Sequence, residues 1–190
     1  AMASETGKVG FVGGMDIPLI HNFAHGYVQG VKHVDPDAEV LVKYTGNTPA
    51  AWNDPTKGAE IAQGEFALGA DVVYAAAGAT GLGVLQAAAD SGKLSIGVDS
   101  NQNYLHPGSV LTSMVKRVDV AVYEAFKTAL EGTWQPGEKN LGLAEEGVGY
   151  ALDENNRALI TPEMEERLEE ARQAIIDGEL KVEDYYSTQK

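Results

Sequence analysis

A regular alternation of short apolar runs with longer amphipathic segments most constrains the fold of this chain. Helical periodicity extends over residues 18–34 and recurs between the later apolar runs. The strand-like runs are rich in β-branched residues and mostly apolar on both faces; they occupy residues 8–12, 40–44, 71–77 and 94–98. Because buried strands joined through helices pair in parallel, the sequence predicts an α/β fold with a doubly wound parallel sheet and right-handed crossovers.

Local signals define further elements. Asp54 followed by Pro55 combines an N-cap residue with proline at the first helical position, which predicts a helix extending to Gly69. A segment rich in Ala and Gly over 80–91 and an amphipathic segment over 118–130 predict two more helices. Residues 109–115 form another strand-like run.

The alternation of strand-like and helical segments ends after Gly132. We expect the residues that follow to leave the main sheet. Turn residues there surround two short runs, 140–143 and 148–152, and a helix capped by Thr161 is expected to reach Gly178. We divide the chain at this point into segments 1–132 and 133–190.

The opening residues, "AMASETG", have neither the basic nor the apolar region of an export signal. We interpret them as the last turn of a helix, with Gly7 at its C-cap, so that the chain resembles a piece of a longer protein.

Composition excludes several classes of function. The net charge is −14, with 28 acidic residues against 14 Lys and Arg, so the basic face that nucleic-acid binding requires is missing. No apolar run approaches the length of about 18 residues expected of a membrane-spanning helix. Cysteine is absent, which removes disulfides, thiol catalysis and sulfur-ligated metals.

Asp99 and Lys116 are the strongest candidate pair for a binding site. Each stands at the end of a strand-like run, and ligands of open α/β sheets bind in the crevice at the carboxyl ends of the strands. A carboxylate can accept two hydrogen bonds from a sugar cis-diol, and a lysine can donate to hydroxyl or carbonyl oxygens. A plain salt bridge between strand ends explains the two residues equally well at this point.

Two glycine-rich turns join strands to helices. The segment 75–83 lacks both the third glycine of a dinucleotide fingerprint and the lysine of a phosphate loop, so it does not predict a phosphate site. Its glycines indicate either close strand–helix packing or contact with a neutral ligand. In the other turn, over 11–16, Asp16 is expected to cap the following helix.

The remaining chemically active side chains have ordinary explanations. His21 and His25 have the i, i+4 spacing of zinc ligands, but no third ligand is evident, so we expect solvated histidines and no metal site. His106 could act as a base, yet no catalytic partners can be assembled around it. Trp52 either stacks on a planar ligand or packs beneath its loop.

An ordered series of motifs makes the chain resemble a known family. "KVGFVGGMDIPLI", "YTGNTPAAWNDPTKG", "GADVVYAAAGATGLGVLQAA", "GVDSNQNYLHPGSVLTSMVKRVDVAVYEA" and "GLAEEGVGYAL" resemble the carboxyl-terminal two-thirds of basic membrane protein (BMP) lipoproteins. These are similar to the purine nucleoside receptor of spirochaetes and are the solute-binding proteins of nucleoside ABC importers. The resemblance covers nearly the whole chain.

The resemblance implies that the chain forms one lobe of a type I periplasmic-binding-protein fold. In that fold a nucleoside, expected to be a purine nucleoside, is held between two lobes. The resemblance also implies that the "GVDS" Asp99 and the "MVKR" Lys116 lie near the ribose and that the "AGATG" turn, with Gly78 and Thr80, lines the same cleft. Trp52 completes the candidate ligand-binding set. No cofactor is implied.

The same resemblance assigns 1–132 to the ligand-binding lobe and 133–190 to a hinge-crossing segment whose terminal helix packs partly with an absent amino-terminal lobe. The expected partners are that lobe, a nucleoside and the importer's permease. The expected location is extracytoplasmic, periplasmic or lipid-anchored through a cysteine outside this chain. The alternatives are a ligand-sensing domain of a regulator and a nucleoside-processing enzyme acting through Asp99 and His106.

Overall fold

The computed structural model describes residues 1–189, which form a six-stranded sheet with helices on both faces. The strands are β1 (Lys8–Met15), β2 (Glu39–Gly46), β3 (Val72–Ala76), β4 (Leu94–Asp99), β5 (Val110–Lys116) and β6 (Val148–Tyr150). The helices are α1 (Pro18–Val34), α2 (Pro55–Ala67), α3 (Thr80–Asp90), α4 (Val118–Leu130) and α5 (Pro162–Ile176). None of these helices is long and apolar enough to cross a bilayer.

The sheet confirms the predicted α/β architecture. Its strand order is β2-β1-β3-β4-β5-β6, and the first five strands in the chain pair in parallel. The last strand, β6, runs antiparallel to β5, with Lys116 opposite Val148. The predicted run 140–143 is not a strand, and β6 uses only part of the predicted run 148–152.

β1 shows why its strand is apolar on both faces. Val9 and Phe11 are fully buried on the side of the sheet that α1 covers, whereas Val12 is buried between the sheet, α2 and α3. Alternate residues of one strand therefore belong to two cores. This arrangement produces the near-continuous hydrophobic run of a parallel strand with helices on both sides.

Close packing between α2 and α3 accounts for part of the glycine-rich turn. A Cβ at Gly83 would collide with the carbonyl group of Pro55, and one at Gly58 would collide with the backbone of Thr80. The packing explanation is therefore correct for Gly83. The predicted cap of α2 is also confirmed, since Asp54 Oδ1 accepts a hydrogen bond from Lys57 N–H at 2.9 Å.

The amino-terminal residues form turns and contain no helix, in contrast to the interpretation of "AMASETG" as a helix end. The side chain of Asp71 accounts for the difference, because it accepts hydrogen bonds from Ser4 Oγ and from the N–H groups of Glu5 and Thr6. These bonds hold the segment against the start of β3. Gly7 has the expected positive φ, 68°, immediately before β1.

The carboxyl-terminal segment packs on this lobe at two places. Leu159, Ile160 and Met164 join the core cluster that contains Val9 and Val31. Farther on, Glu183 and Gln29 exchange two hydrogen bonds of 2.8 and 3.0 Å. α5 contributes Met164 to the first of these contacts but has no fully buried residue.

Helix α4 has the amphipathic pattern predicted for it, but its apolar face is exposed. Val122, Phe126 and Leu130 recur at four-residue spacing and are 50%, 69% and 89% exposed. None of the helix's residues is buried. In the part of the chain that the structure describes, no other segment therefore covers the apolar face of α4.

Candidate functional site

A cavity of about 170 Å³ lies at the carboxyl edge of the sheet. Its walls come from the ends of β3, β4 and β5, the first turns of α1, and the loops that follow β2 and β3. The lining residues are Leu19, Ile20, Phe23, Trp52, Ala76, Gly78, Val98, Asp99 and Lys116. The cavity thus occupies the position at which open α/β sheets bind ligands.

Asp99 and Lys116 face this cavity together. Lys116 Nζ lies 2.8 Å from Asp99 Oδ1, and the two side chains remain 46% and 56% exposed. The salt bridge considered from the sequence is therefore present, but such an exposed pair contributes at most about 1 kcal/mol to stability. Both charged groups remain accessible from the cavity.

Phe23 lines the cavity, although the sequence pattern did not predict it as a site residue. Its place in the helical periodicity over residues 18–34 is typical of a core residue, yet it lines the cavity and lies beneath Lys116, whose Nζ is 5.0 Å from the ring centroid. This cation–π contact helps to fix the ammonium group over the cavity. The available signal was its position in the first turns of a helix that follows a strand end.

Trp52 lines the cavity and packs against backbone at the same time. A Cβ on Gly14 would collide with the indole ring, and one on Gly78 would lie 3.2 Å from the Trp52 carbonyl oxygen. Gly78 also has a φ of 58°, a conformation that glycine adopts without strain. The two glycines therefore leave room for the indole at the cavity wall, so the packing explanation for Trp52 applies, while stacking on a planar ligand stays a prediction.

Thr80 lies below the cavity and does not line it. The side chain is fully buried; its Oγ1 donates to the Ala51 carbonyl oxygen at 2.8 Å and accepts from Asp54 N–H at 2.7 Å. These two bonds tie the start of α3 to the loop that carries Trp52. The structure thus brings together Asp99, Lys116, Gly78 and Trp52, while Thr80 supports the Trp52 loop from beneath.

The histidines differ from the solvated groups expected of them. His21 is half-buried: its Nε2 lies 2.7 Å from Asp16 Oδ1, and its Nδ1 lies 2.8 Å from Tyr44 Oη. Asp16 makes this contact and does not cap α1, whose N-cap residue is Ile17. Burial, with a smaller effect from Asp16, raises the pKa of Tyr44 to about 12.

Neither a metal centre nor a catalytic histidine emerges at the cavity. Within residues 1–189 no group of His, Asp and Glu side chains is arranged to hold a metal ion. His106 lines a separate shallow depression with Gly92 and Lys93, away from Asp99.

A larger groove of about 810 Å³ lies between α1 and α5. It is lined by residues such as Val34, Leu168 and Val182 and lies near the amino-terminal edge of the sheet, where α1 ends and β2 begins. Since ligands of this architecture bind at the opposite edge, we assign the candidate site to the smaller cavity.

Sequence comparisons relate the chain to a known protein family. A family model for "ABC transporter substrate-binding protein PnrA-like" matches residues 1–185. Basic membrane protein D of Borreliella burgdorferi is 37% identical over 184 residues, which cover 95% of this chain and 52% of that protein. An uncharacterised lipoprotein of Pyrococcus abyssi is 39% identical over 157 residues, covering 78% of this chain and 39% of the relative.

Solved structures show the same relationship. An ABC transporter solute-binding protein of Aeropyrum pernix K1 superposes with a TM-score of 0.78 at 31% identity, covering 92% of this chain and 56% of its own. A transcriptional activator of the comK gene from Bacillus halodurans superposes with a TM-score of 0.81 at 27% identity. The match covers 93% of this chain and 58% of the activator. The chain therefore spans about half the length of these relatives. It belongs to the PnrA-like family of ABC transporter substrate-binding proteins.

Proposed function

We propose that this chain is one lobe of an extracytoplasmic receptor that captures nucleosides for an ABC importer and delivers them to its permease. The observation that carries the proposal is the arrangement of Asp99, Lys116 and Trp52 on one concave surface at the strand ends. A nucleoside combines a sugar diol with a flat base, and the three side chains offer an acceptor, a donor and an aromatic surface. Gly78 lines the same cavity beside Trp52 and presents backbone to the ligand.

The charged pair suits the sugar better than the base. In the proposed complex, Asp99 accepts hydrogen bonds from both ribose hydroxyls while Lys116 donates to a ribose oxygen. Within the described residues Asp99 Oδ2 has no hydrogen-bond partner, so the carboxylate retains accepting capacity beyond its bond to Lys116. Family membership supports binding rather than catalysis, as does the distance in the fold between Asp99 and His106.

The size of the cavity supports a second lobe as the opposing wall. Ligand pockets that enclose a drug-sized molecule measure about 300–1,000 Å³. The cavity of about 170 Å³ is smaller, as expected if half of the binding surface comes from the remainder of a protein twice as long. The apolar face of α4 is the surface on which we expect that amino-terminal lobe to pack, because an exposed apolar stripe on a helix requires a partner.

The similarity to the comK activator structure supports one alternative, a ligand-sensing domain of a regulator. Such a domain would use the same cavity, so ligand binding alone does not separate the two functions. Reconstitution with the cognate permease does, because only a transport receptor stimulates ATP hydrolysis by the importer.

The direct test of the proposal is calorimetric titration of the complete two-lobed protein with nucleosides, free bases and ribose. We expect nucleosides to bind more tightly than either component alone, since each contacts only part of the site. Equal affinity for the free base and the nucleoside would contradict the assignment of Asp99 and Lys116 to the sugar.

A further inference from the structure

The backbone conformation of Asp99 is unusual for a residue with a side chain. Its φ is 69°, in the left-handed region that glycine favours. Ser100 N–H donates to the Val98 carbonyl oxygen at 2.8 Å, which closes a three-residue turn with Asp99 at its centre. Residues in such conformations persist only where their surroundings impose them, so the structure must contain groups that hold this turn.

Gln102 is the side chain that holds the turn. Its Oε1 accepts a hydrogen bond from Val98 N–H at 2.9 Å, immediately before Asp99. The backbone N–H of Gln102 donates to Ser113 Oγ on β5 at 2.9 Å. The fit is close, since a Cβ on Gly97 would lie only 2.8 Å from Gln102 Oε1 and 2.7 Å from Ser113 Oγ.

A second set of contacts anchors this loop to the chain that follows β6. Ser113 Oγ donates to Asn103 Oδ1 at 2.9 Å, and both residues are fully buried. Asp153 Oδ2 accepts from Asn101 Nδ2 at 2.6 Å and from Asn103 Nδ2 at 3.2 Å. The hydrogen bond from Asn101 lowers the pKa of Asp153, so its carboxylate remains an acceptor at neutral pH.

We propose that Gln102 is a positioning residue for Asp99. We further propose that Asp153 ties the loop that holds Gln102 to the segment that follows β6. Gln102 does not line the cavity, so it acts on the ligand only through Asp99. The inference rests on the proposed function for its ligand, but the structural half of it, control of the Asp99 turn, can be tested without any ligand.

The matched variants are Gln102→Met and Gln102→Glu. Methionine has a similar length but cannot accept the Val98 N–H bond in the same way, whereas glutamate retains an accepting oxygen at the same position. In the complete protein, the ratio of affinities for a ribonucleoside and its 2′,3′-dideoxy analogue measures whether the carboxylate reaches the hydroxyls. Amide hydrogen exchange of residues 98–103, without ligand, measures the order of the turn.

We expect Gln102→Met to accelerate exchange in residues 98–103 and to reduce the ribose preference by about tenfold or more, since misplacing a charged acceptor weakens its bonds to both hydroxyls. Gln102→Glu should restore both. Unchanged exchange and an unchanged preference in Gln102→Met would overturn the proposal, as would a variant that only lowers thermal stability. If the wild type shows no ribose preference, the proposed function fails, and the exchange measurement alone decides the role of Gln102.

Asp153→Asn provides the second test because it preserves the size of the side chain and replaces one accepting oxygen with a donating NH2 group. The new amide faces the donating amides of Asn101 and Asn103, so the ribose preference should fall while the cavity lining is untouched. Glu154→Gln, an exposed neighbour with the same change of charge, is the control. Equal effects of the two substitutions would show that charge alone is responsible and would refute the connection through Asp153.

Discussion

Glu65 is a buried carboxyl group whose removal should stabilise the protein. The residue lies on α2 and is 1% exposed, and neither carboxyl oxygen has a hydrogen-bond partner within residues 1–189. It fits against β1 because Gly10 has no side chain; a Cβ there would collide with the Glu65 carboxyl. Burial raises the pKa of Glu65 from 4.5 to about 8, with a smaller opposing effect from Lys43.

The sign and size of the pH dependence follow from these two pKa values. Below pH 4.5 the carboxyl is protonated in both the folded and the unfolded protein, so it contributes no pH-dependent penalty. Between pH 4.5 and 8 only the unfolded state releases the proton, and the free energy of unfolding falls by about 1.4 kcal/mol per pH unit. The resulting penalty is about 3 kcal/mol at pH 7 and levels off above pH 8, where the folded state also ionises.

Glu65→Gln retains the shape of the side chain and removes its titration. Denaturant unfolding at pH 4, 7 and 8.5 should show a variant more stable than the wild type by about 3 kcal/mol at pH 7, with the difference vanishing near pH 4. Glu60→Gln, on the exposed side of the same helix, should lack this pH dependence. A stability difference that is the same at all three pH values would refute the reasoning.

Three further predictions concern packing. Gly83→Ala should lower the free energy of unfolding by about 1–3 kcal/mol, because the methyl group meets the carbonyl of Pro55, whereas Gly30→Ala, in open space on α1, should stabilise by about 0.5–1 kcal/mol in denaturant titrations. Gly14→Ala should displace the indole of Trp52, change the near-ultraviolet circular dichroism and weaken ligand binding in calorimetry; unaltered spectra and affinity would contradict this role for Gly14. The isolated chain should self-associate through α4, and Phe126→Ser should reduce this association in light scattering; a monomer at all concentrations would argue against α4 as a covered surface.

The sequence predicted the sheet well because its signals are local and redundant. β1 and β3 are buried on both faces, and Asp54 with Pro55 marks the start of α2 because the Asp54 side chain accepts the Lys57 N–H and proline suits the first helical position. The candidate site followed from a topological rule, since strand ends in a parallel sheet meet at one edge. Asp99 and Lys116, 17 positions apart in the chain, are consequently in contact.

What the sequence did not predict depends on partners distant in the chain or on competing interactions. Asp16 is a suitable cap residue, but it pairs with His21 instead, a choice between two local bonds that spacing does not determine. The burial of Thr80 depends on a loop 29 residues earlier, whose Ala51 carbonyl it binds. The exposed face of α4 has the same periodicity as a buried one, so the pattern predicts a helix without identifying its partner.

The most direct test of the central claim is a thermodynamic cycle on Asp99 in the complete protein. Asp99→Gly removes the carboxylate and suits the positive φ, so the backbone is not strained by the substitution. Hydrogen bonds to a charged group contribute about 1.5–3 kcal/mol each, so affinity for the ribonucleoside should fall at least tenfold to a hundredfold. Ser100→Ala, at the exposed neighbouring position, is the control.

Titration of the wild type and Asp99→Gly with a ribonucleoside and its 2′,3′-dideoxy analogue gives the four affinities of the cycle. Removal of the two hydroxyls should weaken binding to the wild type much more than binding to the variant, because both changes delete the same contact. Additive losses would mean that Asp99 does not touch the sugar and that its pairing with Lys116 is only a salt bridge at the sheet edge.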